Sequence, residues 1–83
     1  MNFKELKKIE REDGIQYKYY ADNGYGASIV QTLYSYGGKQ GLWELAVLDS
    51  NEQITYNTPI TDDVLGYLTE EEVNETLKKI KKL

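Results

Sequence analysis

The densest apolar run in the chain is Gly41-Leu42-Trp43-Glu44-Leu45-Ala46-Val47-Leu48, which also holds the only Trp. It reads as a central strand, and the flanking patterns place the other elements around it. Ile15 to Ala21 alternates, with Ile15, Tyr17 and Tyr19 on one side. Asn23-Gly24 follows, a pair that tolerates the positive φ of a two-residue hairpin turn. Tyr25 to Tyr36, rich in Ile, Val, Thr and Tyr, is a second strand, and Gly37-Gly38-Lys39-Gln40 a turn into the central one. A turn around Ser50-Asn51 leads to a fourth strand, Glu52 to Asn57, which Thr58-Pro59 ends because proline cannot donate to a ladder.

The ends of the chain read differently. Thr69 with Glu72 has the spacing of a capping box, and Leu68 and Val73 occupy hydrophobic-staple positions. Acids crowd the following turn, and Lys78, Lys79, Lys81 and Lys82 the last, as the helix dipole favours. Val73, Leu77 and Ile80 form one apolar stripe, so a C-terminal helix is expected. Thr61, Asp62, Asp63, Val64 and Leu65 read as a single capped helical turn stopped by Gly66. Met1 to Asp13 admits two readings. Asn2 and Glu5 have capping-box spacing, and Phe3, Leu6 and Ile9 a drifting helical stripe, which favours a short helix. A strand entering an Asp13-Gly14 hairpin is the rival.

Pairing the strands through these turns puts Ile15, Tyr17, Tyr19, Val30, Tyr34, Trp43, Leu45, Val47, Ile54 and Tyr56 on one face, available to the helix stripe. The expected fold is therefore one α+β domain spanning 1–83, a four-stranded antiparallel meander with the C-terminal helix packed on one face. Period two then assigns Tyr20, Ile29, Leu33, Leu42, Ala46 and Leu48 to the other face, mixed with Lys18, Gln31, Glu44, Gln53 and Thr55. That face is too apolar for solvent. Either the N-terminal segment with Phe3, Leu6 and Ile9 covers it, or a second copy or another protein does. Tyr20, Ile29, Leu33, Leu42 and Leu48 are the partner-binding candidates. One residue more or less in the 37–40 loop inverts the assignment.

Composition narrows the chemistry. The 83 residues contain no Cys and no His, which removes thiolate metal sites, a cysteine nucleophile, and the commonest general base and metal ligand. No stretch is long and apolar enough to span a bilayer, and the N-terminus lacks a signal-peptide core, so a cytosolic location is expected. Basic and acidic side chains number six and five in residues 1–40 but four and nine in residues 41–83. Between Asp49 and Glu75 there is no Lys or Arg, and that stretch would repel a phosphate backbone.

Other candidates fail on their residues. Tyr17, Tyr19, Tyr34 and Trp43 resemble a base-stacking platform, but only Lys18 and Lys39 lie in the sheet region and the electrostatic component is missing. Gly24-Tyr25-Gly26 lacks the third glycine and the following helix of a phosphate loop. Asp49, Asn51 and Gln53 begin like a calcium loop, yet Ile54 stands where glycine is needed and Ile60 where the closing Glu belongs. Capping accounts for Asp62, Asp63 and Glu70 to Glu72, and no cofactor or metal site is expected.

Tyr20-Ala21-Asp22-Asn23-Gly24-Tyr25-Gly26-Ala27-Ser28, Gly41 to Val47, and Thr58-Pro59-Ile60-Thr61-Asp62-Asp63-Val64 resemble segments of small uncharacterised proteins encoded by phages and prophages of Gram-positive bacteria. The resemblance spans residues 17–83 and carries no site; it implies a bacterial cytosol and an accessory role. The leading expectation is a non-enzymatic protein–protein interaction module, with mimicry of DNA by its acidic surface as a variant. A single-stranded nucleic-acid binder is the alternative, and a small hydrolase comes third.

Overall fold

In the computed structural model, residues 2–61 and 63–83 are described. Strands β1 (Lys8–Arg11), β2 (Gly14–Tyr20), β3 (Gly26–Thr32), β4 (Trp43–Leu48) and β5 (Leu65–Leu68) precede one helix, α1 (Glu70–Lys81). The strands form a single antiparallel sheet in sequence order. The fold is α+β, with five strands rather than the four expected.

The added strands come from the two segments read as helical. Asn2 does cap a turn: its side chain accepts from Lys4 N at 2.9 Å, and Glu5 Oε1 accepts from Asn2 N at 3.1 Å. The turn stops at Glu5 because Leu6 is extended. A hairpin then takes over, its turn one residue earlier than the Asp13-Gly14 pair considered above. β1 pairs with β2 through the two-residue turn Glu12-Asp13, with Arg11 opposite Gly14. A Cβ on Gly14 would lie 2.1 Å from the carbonyl oxygen of Gln31, so only glycine lets the β2 and β3 backbones approach there. At the other end, Leu65–Leu68 is a strand on β4, not a helical turn halted by Gly66; Asp62 lies outside the described residues. Half-buried Leu65 and Leu68 pair opposite Leu45 and Trp43, which extends the core, whereas a lone helical turn would have no such partner. Gly66 and Tyr67 together face Glu44, a bulge that sets Tyr67 at φ 56°.

β3 is inverted relative to the expected pairing. The β2–β3 hairpin uses a five-residue loop, Ala21 to Tyr25, closed by Ala21 N donating to Tyr25 O at 2.8 Å. This places Tyr17 opposite Ile29, not Val30. On the other side β3 ends at Thr32, where Thr32 N donates to Ser35 Oγ at 2.8 Å and Ser35 N to Thr32 Oγ1 at 3.0 Å. Ser and Thr side chains that satisfy local backbone in this way stop a ladder. Ten residues, not four, then connect β3 to β4, and Ile29 stands opposite Leu45. Ile29 is fully buried under the helix, and Val30 faces outward.

The expected fourth strand is also absent. After Leu48 the chain turns over Asp49, whose carboxylate accepts from Asn51 N at 2.8 Å and Gln53 N at 3.1 Å. Only Ile54 bridges back, to Leu48, and Glu52 to Asn57 otherwise leaves the sheet. Ile54, Tyr56 and Tyr34, assigned above to the helix face, are exposed.

Under the helix the core follows the expected stripe. Thr69 Oγ1 accepts from Glu72 N at 3.2 Å and Glu72 Oε1 from Thr69 N at 3.0 Å, the anticipated capping box. Val73, Leu77 and Ile80 are buried against Tyr17, Tyr19, Ala27, Ile29, Trp43, Leu45 and Val47. Each aliphatic side chain so buried stabilises the fold by about 1.5–3 kcal/mol. Phe3 completes this core. Its ring meets Trp43 edge-on at 4.9 Å and Tyr17 at 5.3 Å, and its N–H donates to Asn74 Oδ1 at 2.8 Å. The N-terminal segment therefore packs on the helix side and does not cover the outer face.

Candidate functional site

The outer face is built from alternate residues of four strands. Its rows are Ile9, Gln16, Val30 and Glu44, then Lys18, Ser28 and Ala46, then Tyr20, Gly26 and Leu48. Polar side chains here engage one another: Gln16 Nε2 donates to Ser28 Oγ at 2.8 Å, and Lys18 Nζ lies 3.8 Å from Glu52 Oε1. Tyr20 OH donates to the same Glu52 oxygen at 2.8 Å. That hydrogen bond, helped by desolvation and the carboxylate's charge, raises the Tyr20 phenol above its ordinary value. Glu52 is presented from a left-handed backbone at φ 60°, uncommon outside glycine.

A shallow concavity of about 320 Å³ runs over this face, floored by Val30, Ser28 and Ala46 and rimmed by Tyr34, Ile54, Val64 and Thr32. Its charged members are Arg11, Asp13 and Glu44. Arg11 Nε and Asp13 Oδ1 are 3.4 Å apart, while Glu44 Oε1 accepts from Tyr36 N at 2.9 Å. The lining is thus mixed in sign, with one acid in excess. Tyr34 is 85% exposed on the rim, and the Tyr36 and Tyr67 rings stack on each other at 6.4 Å.

The structure scatters the five candidate residues. Tyr20 is exposed and Leu48 buried, in one row of the outer face. Leu33 is exposed in the loop after β3, where it lines a second concavity with Arg11, Glu12, Asp13 and Tyr34. Leu42 is half-buried just before β4. Ile29 is excluded: it belongs to the helix-side core because β3 is inverted. Sequence reasoning missed Val30, Tyr34, Ile54 and Val64. The Thr32-x-x-Ser35 spacing was the available signal, since an early end to β3 moves Tyr34 onto a rim. Tyr17, Tyr19 and Trp43, considered for base stacking, are buried.

Among the described residues, no group of three or more acidic, His or Cys side chains could hold a metal ion, and no helix is long and apolar enough to cross a membrane. No family model, curated protein or solved structure matches this chain.

Proposed function

We propose that the chain is a non-enzymatic interaction module that binds another protein across the outer-face concavity. The observation that carries this reading is the pairing of exposed Tyr34 and Ile54 with a lining that is not basic. Tyrosines and aliphatic side chains within a lining of mixed charge suit a protein surface, whereas a nucleic-acid strand calls for a positive groove. An accessory role in a phage or prophage, in the bacterial cytosol, rests on the resemblance of the quoted segments. The acidic stretch does not favour DNA mimicry. Glu52 bonds Tyr20, Glu70 pairs with Lys4 at 2.9 Å, Glu72 caps the helix, and Glu75 lies 3.2 Å from Lys78.

Affinity capture with the chain, with Tyr34→Ala plus Ile54→Lys, and with the helix-surface control Lys79→Glu tests the reading. A protein retained by the parent and the control but lost by the double variant is the expected result. Light scattering run alongside identifies a second copy as the occupant. Single-strand affinity at physiological salt should be no tighter than the roughly 10⁻⁴–10⁻⁶ M of non-specific contact. Nanomolar, steeply salt-dependent oligonucleotide binding would overturn the proposal.

A further inference from the structure

Asn23 does two things at once. Its side-chain nitrogen donates to the backbone oxygens of Ile80 at 2.9 Å, Lys81 at 3.2 Å and Leu83 at 3.2 Å, so it ties the β2–β3 loop to the carbonyl-rich end of α1 and the residues that follow it. It is also followed by Gly24, whose missing Cβ leaves the backbone nitrogen open to attack the Asn side chain. We propose that Asn23 is a self-modification site, in which closure of Gly24 N on the side chain expels ammonia, at a rate set by the docking of the α1 C-terminus.

The chemistry needs only water and base. Gly24 N, after losing its proton, bonds to Asn23 Cγ; the Cγ–Nδ2 bond breaks and the amide leaves as ammonia. The resulting five-membered imide adds water at either carbonyl, giving aspartate or its iso form, with no oxidation or reduction. In the folded chain the side chain is held away from this path. Nδ2 is fixed by the helix carbonyls, Oδ1 accepts from Tyr25 N at 3.0 Å, and Gly24 N donates to Ala21 O at 3.2 Å. Cγ reaches Gly24 N only when the amide lets go of the helix, so the reaction proceeds from a locally opened state. Its product does not re-dock. A carboxylate has no proton to donate, and it faces the same three oxygens at the negative end of the helix dipole. Lys81 and Lys82 can attract the new charge but cannot restore the hydrogen bonds.

Peptide mapping by mass spectrometry at mildly alkaline pH follows the replacement of NH₂ by OH at Asn23. The full chain should react most slowly, the chain in urea fastest, and the full chain carrying Ile80→Val roughly 2- to 10-fold faster than the parent, as loosened packing populates the open state. Equal rates in buffer and urea, or no reaction in urea, would defeat the proposal. For the product, Asn23→Asp and Asn23→Ala are compared by thermal unfolding and by amide exchange at Lys82 and Leu83. The aspartate should melt lower than the alanine and exchange faster than the parent. If Asn23→Asp matched the parent in both, the modification would not release the helix.

Discussion

Replacing Phe3 by alanine tests the least anticipated feature of the core, the docking of the N-terminal turn beneath the helix. Phe3 is fully buried and meets two other aromatic rings edge-on. Truncating a buried Phe costs about 3–5 kcal/mol, and the edge-to-face pairs with Trp43 and Tyr17 place this site toward the upper end. The whole domain has little to lose. At ~0.05–0.15 kcal/mol per residue, 83 residues give roughly 4–12 kcal/mol of net stability. Phe3→Ala should therefore shift the urea midpoint by a large fraction of its value, or leave the chain partly unfolded in water. Trp43, the only Trp, lies 4.9 Å from the Phe3 ring, so its fluorescence reports both the unfolding curve and the local change. Asn74→Ala should cost about 1–3 kcal/mol, since it strands the Phe3 N–H. A Phe3→Ala midpoint within error of the parent's would mean that the turn is not packed on Trp43, and the assignment of the N-terminus to the helix side would fall.

Thr69→Ala should lower stability by about 1 kcal/mol in chemical unfolding, because Glu72 N loses its cap. Gly14→Ala should be far worse than its size suggests, since the added Cβ would sit 2.1 Å from Gln31 O; a folded variant with unchanged exchange at the β2–β3 ladder would contradict the register. Leu48→Lys should destabilise the fold, because Leu48 is only 4% exposed, and light scattering separates that outcome from loss of a dimer. The Tyr20 phenol, raised chiefly by its hydrogen bond to Glu52, should titrate lower in Glu52→Gln, as read by ultraviolet absorbance. A raised folded value favours the protonated phenol, so its contribution is complete below the ordinary 10.0 and is lost as pH climbs through the folded value.

How much of this was legible depended on whether a signal was local or a matter of counting. The α1 cap, its apolar stripe and its lysine-rich end were readable because every interaction lies within four residues. The Asn2–Glu5 box was readable for the same reason, although it governs one turn and not a helix. Trp43, Leu45 and Val47 were placed correctly because that run is long and its alternation unbroken. Hairpin lengths were not legible. Asn23-Gly24 suits a two-residue turn in isolation, but here the Asn amide is drawn to the end of α1, some 57 residues away in sequence, and the loop lengthens to five. Segment 65–68 was misread, and 8–11 was left between helix and strand with the helix favoured, because four residues carry too little periodicity to separate the two. Their identity comes from the edges they pair with.

The inversion of β3 also changes what a partner would meet. The expected outer face was apolar because Ile29, with Leu48 across from it, joined Tyr20, Leu33, Leu42 and Ala46 there. With Ile29 under the helix, the middle rows hold Gln16, Ser28, Lys18 and Ala46 beside Val30, close to the polar composition of an ordinary solvated sheet face. The exposed aromatic and apolar groups that line the concavity, Tyr34 and Ile54, arrive from the connections after β3 and β4 and not from strand interiors. A binding surface assembled this way takes its floor from the sheet and its grip from the rim. Substitutions at Tyr34 or Ile54 remove contacts without opening the core, whereas those at Val30 or Ala46 alter the floor itself. Loss of partner at unchanged unfolding midpoint is therefore expected of rim variants, and a rim variant that unfolded the domain would show that these loops hold the fold together instead.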